Sequence, residues 1–139
     1  MHNGRYAPSI DLEFFPNTQN KLYWSSTSSA NMRGKGAYSV SFLNGMIDNS
    51  GSSEKKYKRN IRLVRGDTRV LGSDISCRYI NETGIVSTPT SDFVLENGVA
   101  IHKATNLMWA RCNIGQSWDT SSKSCVGEPT EMNWEEALK

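Results

Sequence analysis

Seven cations crowd into a short stretch of this sequence: Lys55, Lys56, Lys58, Arg59, Arg62, Arg65 and Arg69. Guanidinium and ammonium groups donate charge-assisted hydrogen bonds to sulfates and carboxylates, so such a run offers a patch for anionic glycans. The competing use is the solvated face of a strand, where lysine also discourages edge pairing. Strand alternation sends Lys58 and Arg62 to one face, and Arg59 and Arg65 to the other. That splits the patch and favours the solvated face. Trp24, Trp109, Trp118 and Trp134 supply flat apolar surfaces that stack on sugars or fill a core, and their large area favours the core. Trp118 lies in a polar loop between two cysteines and is the tryptophan expected at the surface. The candidate ligand-binding residues are therefore Lys55, Lys56, Lys58, Arg59, Arg62 and Trp118.

Three cysteines are an odd number. Cys112 and Cys125 are close in sequence, with turn-forming residues between them, and a loop this polar cannot organise itself by burial. A Cys112–Cys125 disulfide is expected, worth about 3 kcal/mol on the loop-entropy account. The alternative is a pair of free thiols in a reducing compartment. Cys77 is left over, either buried or paired outside this chain. No C-x-x-C spacing exists, and His2 and His102 are remote from each other, so neither a metal nor another cofactor is expected.

Other motifs carry little. Ser25-Ser26-Thr27 has no histidine near it in sequence, and satisfied loop hydroxyls explain it better than a nucleophile. Arg65-Gly66-Asp67 spells an integrin-type tripeptide, for which chance suffices. Asn81-Glu82-Thr83 is a glycosylation sequon that matters only in a eukaryotic secretory pathway. Asp48, Glu54 and Asp67 are too dispersed for a calcium site, and Gly34-Lys35-Gly36 lacks the strand–loop–helix context of a phosphate loop.

The elements that must position these groups are short strands. Hydrophobic residues make up 37% of 139 positions, with abundant Ser, Thr, Asn and Gly. That balance favours a loop- and strand-rich extracellular type of domain, and four Trp, five Tyr and four Phe argue against disorder. A net charge of +2 gives no reason to expect nucleic acid or membrane binding. No apolar run approaches membrane-spanning length. Residues 1–20 are polar and do not read as a signal peptide.

Residues 1–36 read mostly as loop, with a short buried strand at Tyr23 and Trp24 and a polar loop from Ser25 to Gly36. From Ala37 to Leu43 the pattern alternates, with Tyr38, Val40 and Phe42 opposite Ser39 and Ser41. Asn44-Gly45 signals a hairpin, with Met46 to Asp48 returning. Tyr57 to Val64 reads as a third strand, with Tyr57, Ile61 and Leu63 on one face. Residues 67–92 read as a linker. Asn97-Gly98 marks a second hairpin between Phe93–Glu96 and Val99–His102, followed by a strand at Leu107 to Ala110. Asn133 and Glu136 form a capping-box pattern around Trp134. A helix that begins so close to Lys139 is too short to stand alone, which suggests truncation.

These blocks resemble a family in an unexpected order. Residues 1–66 carry Arg5-Tyr6-Ala7-Pro8, Phe15-Pro16-Asn17-Thr18, Tyr23-Trp24-Ser25-Ser26-Thr27, Tyr38-Ser39-Val40-Ser41-Phe42 and Arg62-Leu63-Val64-Arg65-Gly66. They resemble the C-terminal half of a DUF1566 domain, also called the Legionella collagen-like protein C-terminal domain. Residues 93–139, with Leu107-Met108-Trp109, the Cys112 to Cys125 loop and Trp134-Glu135-Glu136-Ala137-Leu138, resemble its N-terminal half. The family's middle, with its Trp-Arg-Leu-Pro segment, is missing. The chain is then either the end of one domain copy joined to the start of the next, or a permuted single copy.

The resemblance implies an α+β, strand-dominated fold of the C-type lectin-like type, in the formylglycine-generating-enzyme branch, with antiparallel hairpins and little helix. It implies no catalytic residues. The expected function is a non-enzymatic, adhesin-like module, secreted or held at the bacterial surface or in the periplasm, recognising glycans or a host-surface ligand. The alternative is a tandem-repeat spacer or assembly element of a larger envelope protein, with copies associating by exchange of half-domains.

Overall fold

In the alternating segment, serine and alanine, and not the aromatic residues, take the inside. The computed structural model describes residues 7–50, 53–66 and 90–139. Strand β1 (Leu22–Ser29) pairs antiparallel with β2 (Gly36–Ser41), which pairs with β3 (Ile47–Asp48) across the Asn44-Gly45 turn. Ala37 and Ser39 of β2 are fully buried, whereas Tyr38 and Val40 are half-buried. The buried Ser39 hydroxyl meets Ser53 Oγ at 3.3 Å, and Ser53 Oγ also reaches Asp48 Oδ2 at 2.8 Å. Small hydroxylated side chains let backbones approach closely, and hydrogen bonding removes the cost of burying them.

Two expectations need correction. The polar run after Trp24 is not a loop throughout, because β1 continues to Ser29, past a bulge between Trp24 and Ser28. Ser28 and Ser29 are held there by pairing with Ala37 and Gly36, so partner geometry overrides weak strand propensity. Tyr57 to Val64 is not a continuous strand either. Arg59 exchanges backbone bonds with Met132, Asn60 with Leu22 and Trp24, Ile61 accepts from Ile114, and Leu63 accepts from Ala110. A segment that changes neighbour at nearly every residue builds no ladder. Only β4 (Val64–Arg65) qualifies as a strand, and of the three expected inward residues Ile61 is buried while Tyr57 and Leu63 are exposed.

The second hairpin forms as its Asn97-Gly98 turn requires. Strand β5 (Phe93–Glu96) pairs with β6 (Val99–His102), which pairs with β7 (Leu107–Ala110). Strand β4 completes this sheet from the other half of the sequence, with Val64 opposite Trp109 and Arg65 opposite Met108, in the order β4-β7-β6-β5. Within the Cys112 to Cys125 loop, β8 (Ser117–Asp119) and β9 (Ser124–Val126) form a small ribbon. A four-residue helix α1 (Trp134–Ala137) follows, with both arms of the Asn133–Glu136 capping box made. The described residues are thus strand-dominated, with antiparallel sheets and little helix. Of the stretch read as a linker, only residues 90–92 are described, as a 3-10 turn; Cys77, Asp67, His2 and the sequon lie outside the described residues.

Residues 7–66 and 90–139 share an interior as well as a sheet. Its buried apolar members are Phe14, Tyr23, Ala37 and Ile61 from the first and Ala100 and Cys125 from the second. The buried polar residues include Thr18, Arg59, Asn60, Arg111 and Asn113. Among the described residues the apolar core is small, which makes the Cys112–Cys125 disulfide valuable; it is formed, with Cα atoms 5.5 Å apart.

Candidate ligand-binding surface

The basic stretch divides by depth, not by the faces of one strand. Lys56 and Lys58 are exposed, Lys55 and Arg62 are half-buried, and Arg59 is buried. The Arg59 guanidinium lies 4.7 Å over the Trp24 ring and 3.9 Å from Asp48 Oδ2. Arg62 Nη1 donates to the carbonyls of Ala110 and Arg111, and its Nη2 to Thr18 Oγ1 at 2.7 Å and Asn113 Oδ1 at 3.0 Å. Burial lowers the pKa of both arginines, opposed at Arg59 chiefly by Asp48. Both guanidinium groups tie one part of the chain to another.

Trp118 is half-buried, not the open ring its loop suggests. The Arg111 guanidinium covers it at 4.0 Å, and a Cβ on Gly98 would meet its Cβ at 3.0 Å. Arg111 is buried itself, and that desolvation lowers its pKa. Trp118 does not line the groove that holds Lys55 and Lys56.

A residue outside the basic run joins it instead. Lys55 N–H donates to the Lys35 carbonyl at 2.9 Å, and Gly36 bridges to Glu54, so Lys35 and Lys55 arrive side by side. Trp134 N–H then donates to the Lys55 carbonyl at 3.0 Å, and Lys55 Nζ sits 4.2 Å over the Trp134 ring. Gly34, Lys35, Glu54, Lys55, Lys56, Asn133 and Glu135 line a polar groove of about 650 Å³. Lys56 Nζ pairs with Glu54 at 2.7 Å, which raises the lysine pKa; Lys35 has no such partner among the described residues. Sequence reasoning missed Lys35 because a chain crossing, not proximity along the sequence, makes it a neighbour.

The second concavity is apolar, about 470 Å³, and lies where the two halves meet. Tyr23 and Ile61, only 3% and 5% exposed, form its floor, and Leu63 and Leu138, 55% and 52% exposed, its mouth. Trp24, Trp109 and Trp134 wall it. Trp24 Nε1 donates to the Met132 carbonyl at 3.0 Å and Trp134 Nε1 to the Ser25 carbonyl at 2.9 Å, so hydrogen bonds hold both indoles. Trp134 thus lines this cleft and also supports Lys55 of the polar groove. Among the described residues no group of three or more His, Cys, Asp and Glu could hold a metal, and no helix is long and apolar enough to cross a membrane. No family model, curated protein or solved structure matches this chain.

Proposed function

We propose that the chain is a non-enzymatic, adhesin-like binding module that recognises anionic glycans through the Lys35, Lys55 and Lys56 groove. The observation that carries this is Lys55 Nζ stationed over Trp134 in a groove that also presents Lys35. An acidic sugar has a charged substituent for the ammonium groups of Lys35 and Lys55, and the Trp134 ring holds Lys55 in place. The residue blocks that resemble a C-type lectin-like family agree with this use. Pairing of β4 with β7 supports reading them as one permuted domain whose halves close on each other. The disulfide favours an oxidising compartment, which supports reading the module as one that acts outside the cytoplasm, secreted, surface-attached or periplasmic.

A glycan array probed with the purified chain tests the reading. Sulfated and uronic-acid saccharides should be retained over neutral ones, with retention falling as salt rises. Retention of no saccharide at low salt counts against the glycan function. A second, structural reading as spacer or assembly element draws on Leu43, Met46 and Ile47, all exposed around the β2–β3 turn. It requires concentration-dependent oligomers that bind no glycan, which light scattering alongside the array would reveal.

A further inference from the structure

We infer that the apolar cleft between the two halves is a small-molecule site for a flat apolar anion, a carboxylate borne on one or two fused rings. This goes beyond glycan recognition and concerns a different concavity. The cleft volume, about 470 Å³, falls within the roughly 300–1,000 Å³ of small-molecule sites. Its walls are aromatic, and the hydrogen bonds of Trp24 to Met132 and Trp134 to Ser25 hold two of them before any ligand arrives. A rigid aromatic wall favours a flat apolar body, because little side-chain freedom is lost when it stacks.

The charge specifies the rest. Arg62 lines the cleft, and among the described residues no carboxylate lines it. Among the described residues the ion pairs are Lys21–Glu131, Lys56–Glu54 and Arg59–Asp48, so Arg62 has none. Its four hydrogen bonds go to neutral oxygens, which anchor the guanidinium without cancelling its charge. A low-dielectric pocket of this sign attracts an anion and selects against a cation of the same shape.

Calorimetric titration of the full chain with naphthoate and with uncharged naphthylmethanol tests this. Naphthoate should bind about tenfold tighter, the size of one screened charge–charge contact. Trp109→Ala should weaken both probes at least about fivefold. Leu138→Glu, at the exposed mouth and safe for folding, should weaken naphthoate selectively by about threefold. Equal affinities, no saturable binding of either probe, or naphthoate binding indifferent to Leu138→Glu would overturn the inference. So would a dimer that seals the cleft and that naphthoate does not disperse in sedimentation. Naphthoate binding by a chain that ignores acidic polysaccharides would leave this inference standing and sink the glycan reading.

Discussion

Arg111 Nε donates to the Phe14 carbonyl at 2.8 Å across 97 positions of sequence, and its Nη2 reaches the Glu13 carbonyl at 2.7 Å. One side chain from the second half therefore fixes the loop that opens the first. Arg111→Ala strands two carbonyls and uncovers Trp118, so a loss of about 3 kcal/mol is expected in urea denaturation. Arg111→Lys should recover less than half of it, because an ammonium lacks the planar fork. A loss under about 0.5 kcal/mol would show that the halves do not depend on this contact.

The disulfide gives a second test. Cys112 and Cys125 are bonded, so a denatured, unreduced chain with three cysteines should titrate no more than one thiol. Reduction, or Cys112→Ser with Cys125→Ser, should cost about 3 kcal/mol. Three thiols from material never exposed to reductant would remove both the bond and the compartment drawn from it.

Asp119 titrates in a stated window. Hydrogen bonds from the Ser121 hydroxyl first, then the Ser122 hydroxyl and the Ser121 backbone N–H, lower its pKa to about 2. A folded pKa below the unfolded one means that the stabilisation is present above the unfolded value, about 3.9, and is lost as pH falls through about 2. Carboxyl NMR should place the Asp119 midpoint below the usual aspartate range, and Ser121→Ala with Ser122→Ala should raise it. A midpoint in the ordinary carboxylate range would disprove the local network.

Gly115 and Gly34 separate backbone strain from crowding. Both have positive φ, 90° and 79°, but a Cβ on Gly115 meets the Glu128 carbonyl oxygen at 2.6 Å and the Thr130 nitrogen at 2.7 Å, whereas one on Gly34 meets nothing within 4 Å. Gly34→Ala should cost about 1 kcal/mol, from strain alone. Gly115→Ala should cost about 3 kcal/mol, since backbone atoms cannot step aside. Thermal melts giving equal losses would deny the contact.

Local rules made much of this legible. The Asn-Gly turns, the Leu107–Ala110 strand, the Cys112–Cys125 bond and the Asn133 cap follow from chemistry a few residues wide, and all are present. Ser28 and Ser29, in contrast, become strand because distant Gly36 and Ala37 pair with them. Arg59 and Arg62 read as surface cations, yet they turn inward, where the Trp24 ring and Asp48 hold Arg59 and oxygens of distant segments hold Arg62. The candidate site was half visible: Lys55 and Lys56 belong to the groove, while Lys35 joins it, and Trp134 comes under Lys55, only through the backbone bonds at Lys55.

The most direct test is calorimetric titration of the chain and of a Lys35→Glu/Lys55→Glu variant with a sulfated polysaccharide at low and physiological salt. Both substitutions lie on the groove and outside the Arg62 and Arg111 contacts, so the fold should survive. The expected result is saturable binding by the parent chain, weakened by salt and reduced at least about tenfold in the variant. Unchanged affinity in a folded variant would contradict the assignment of the groove.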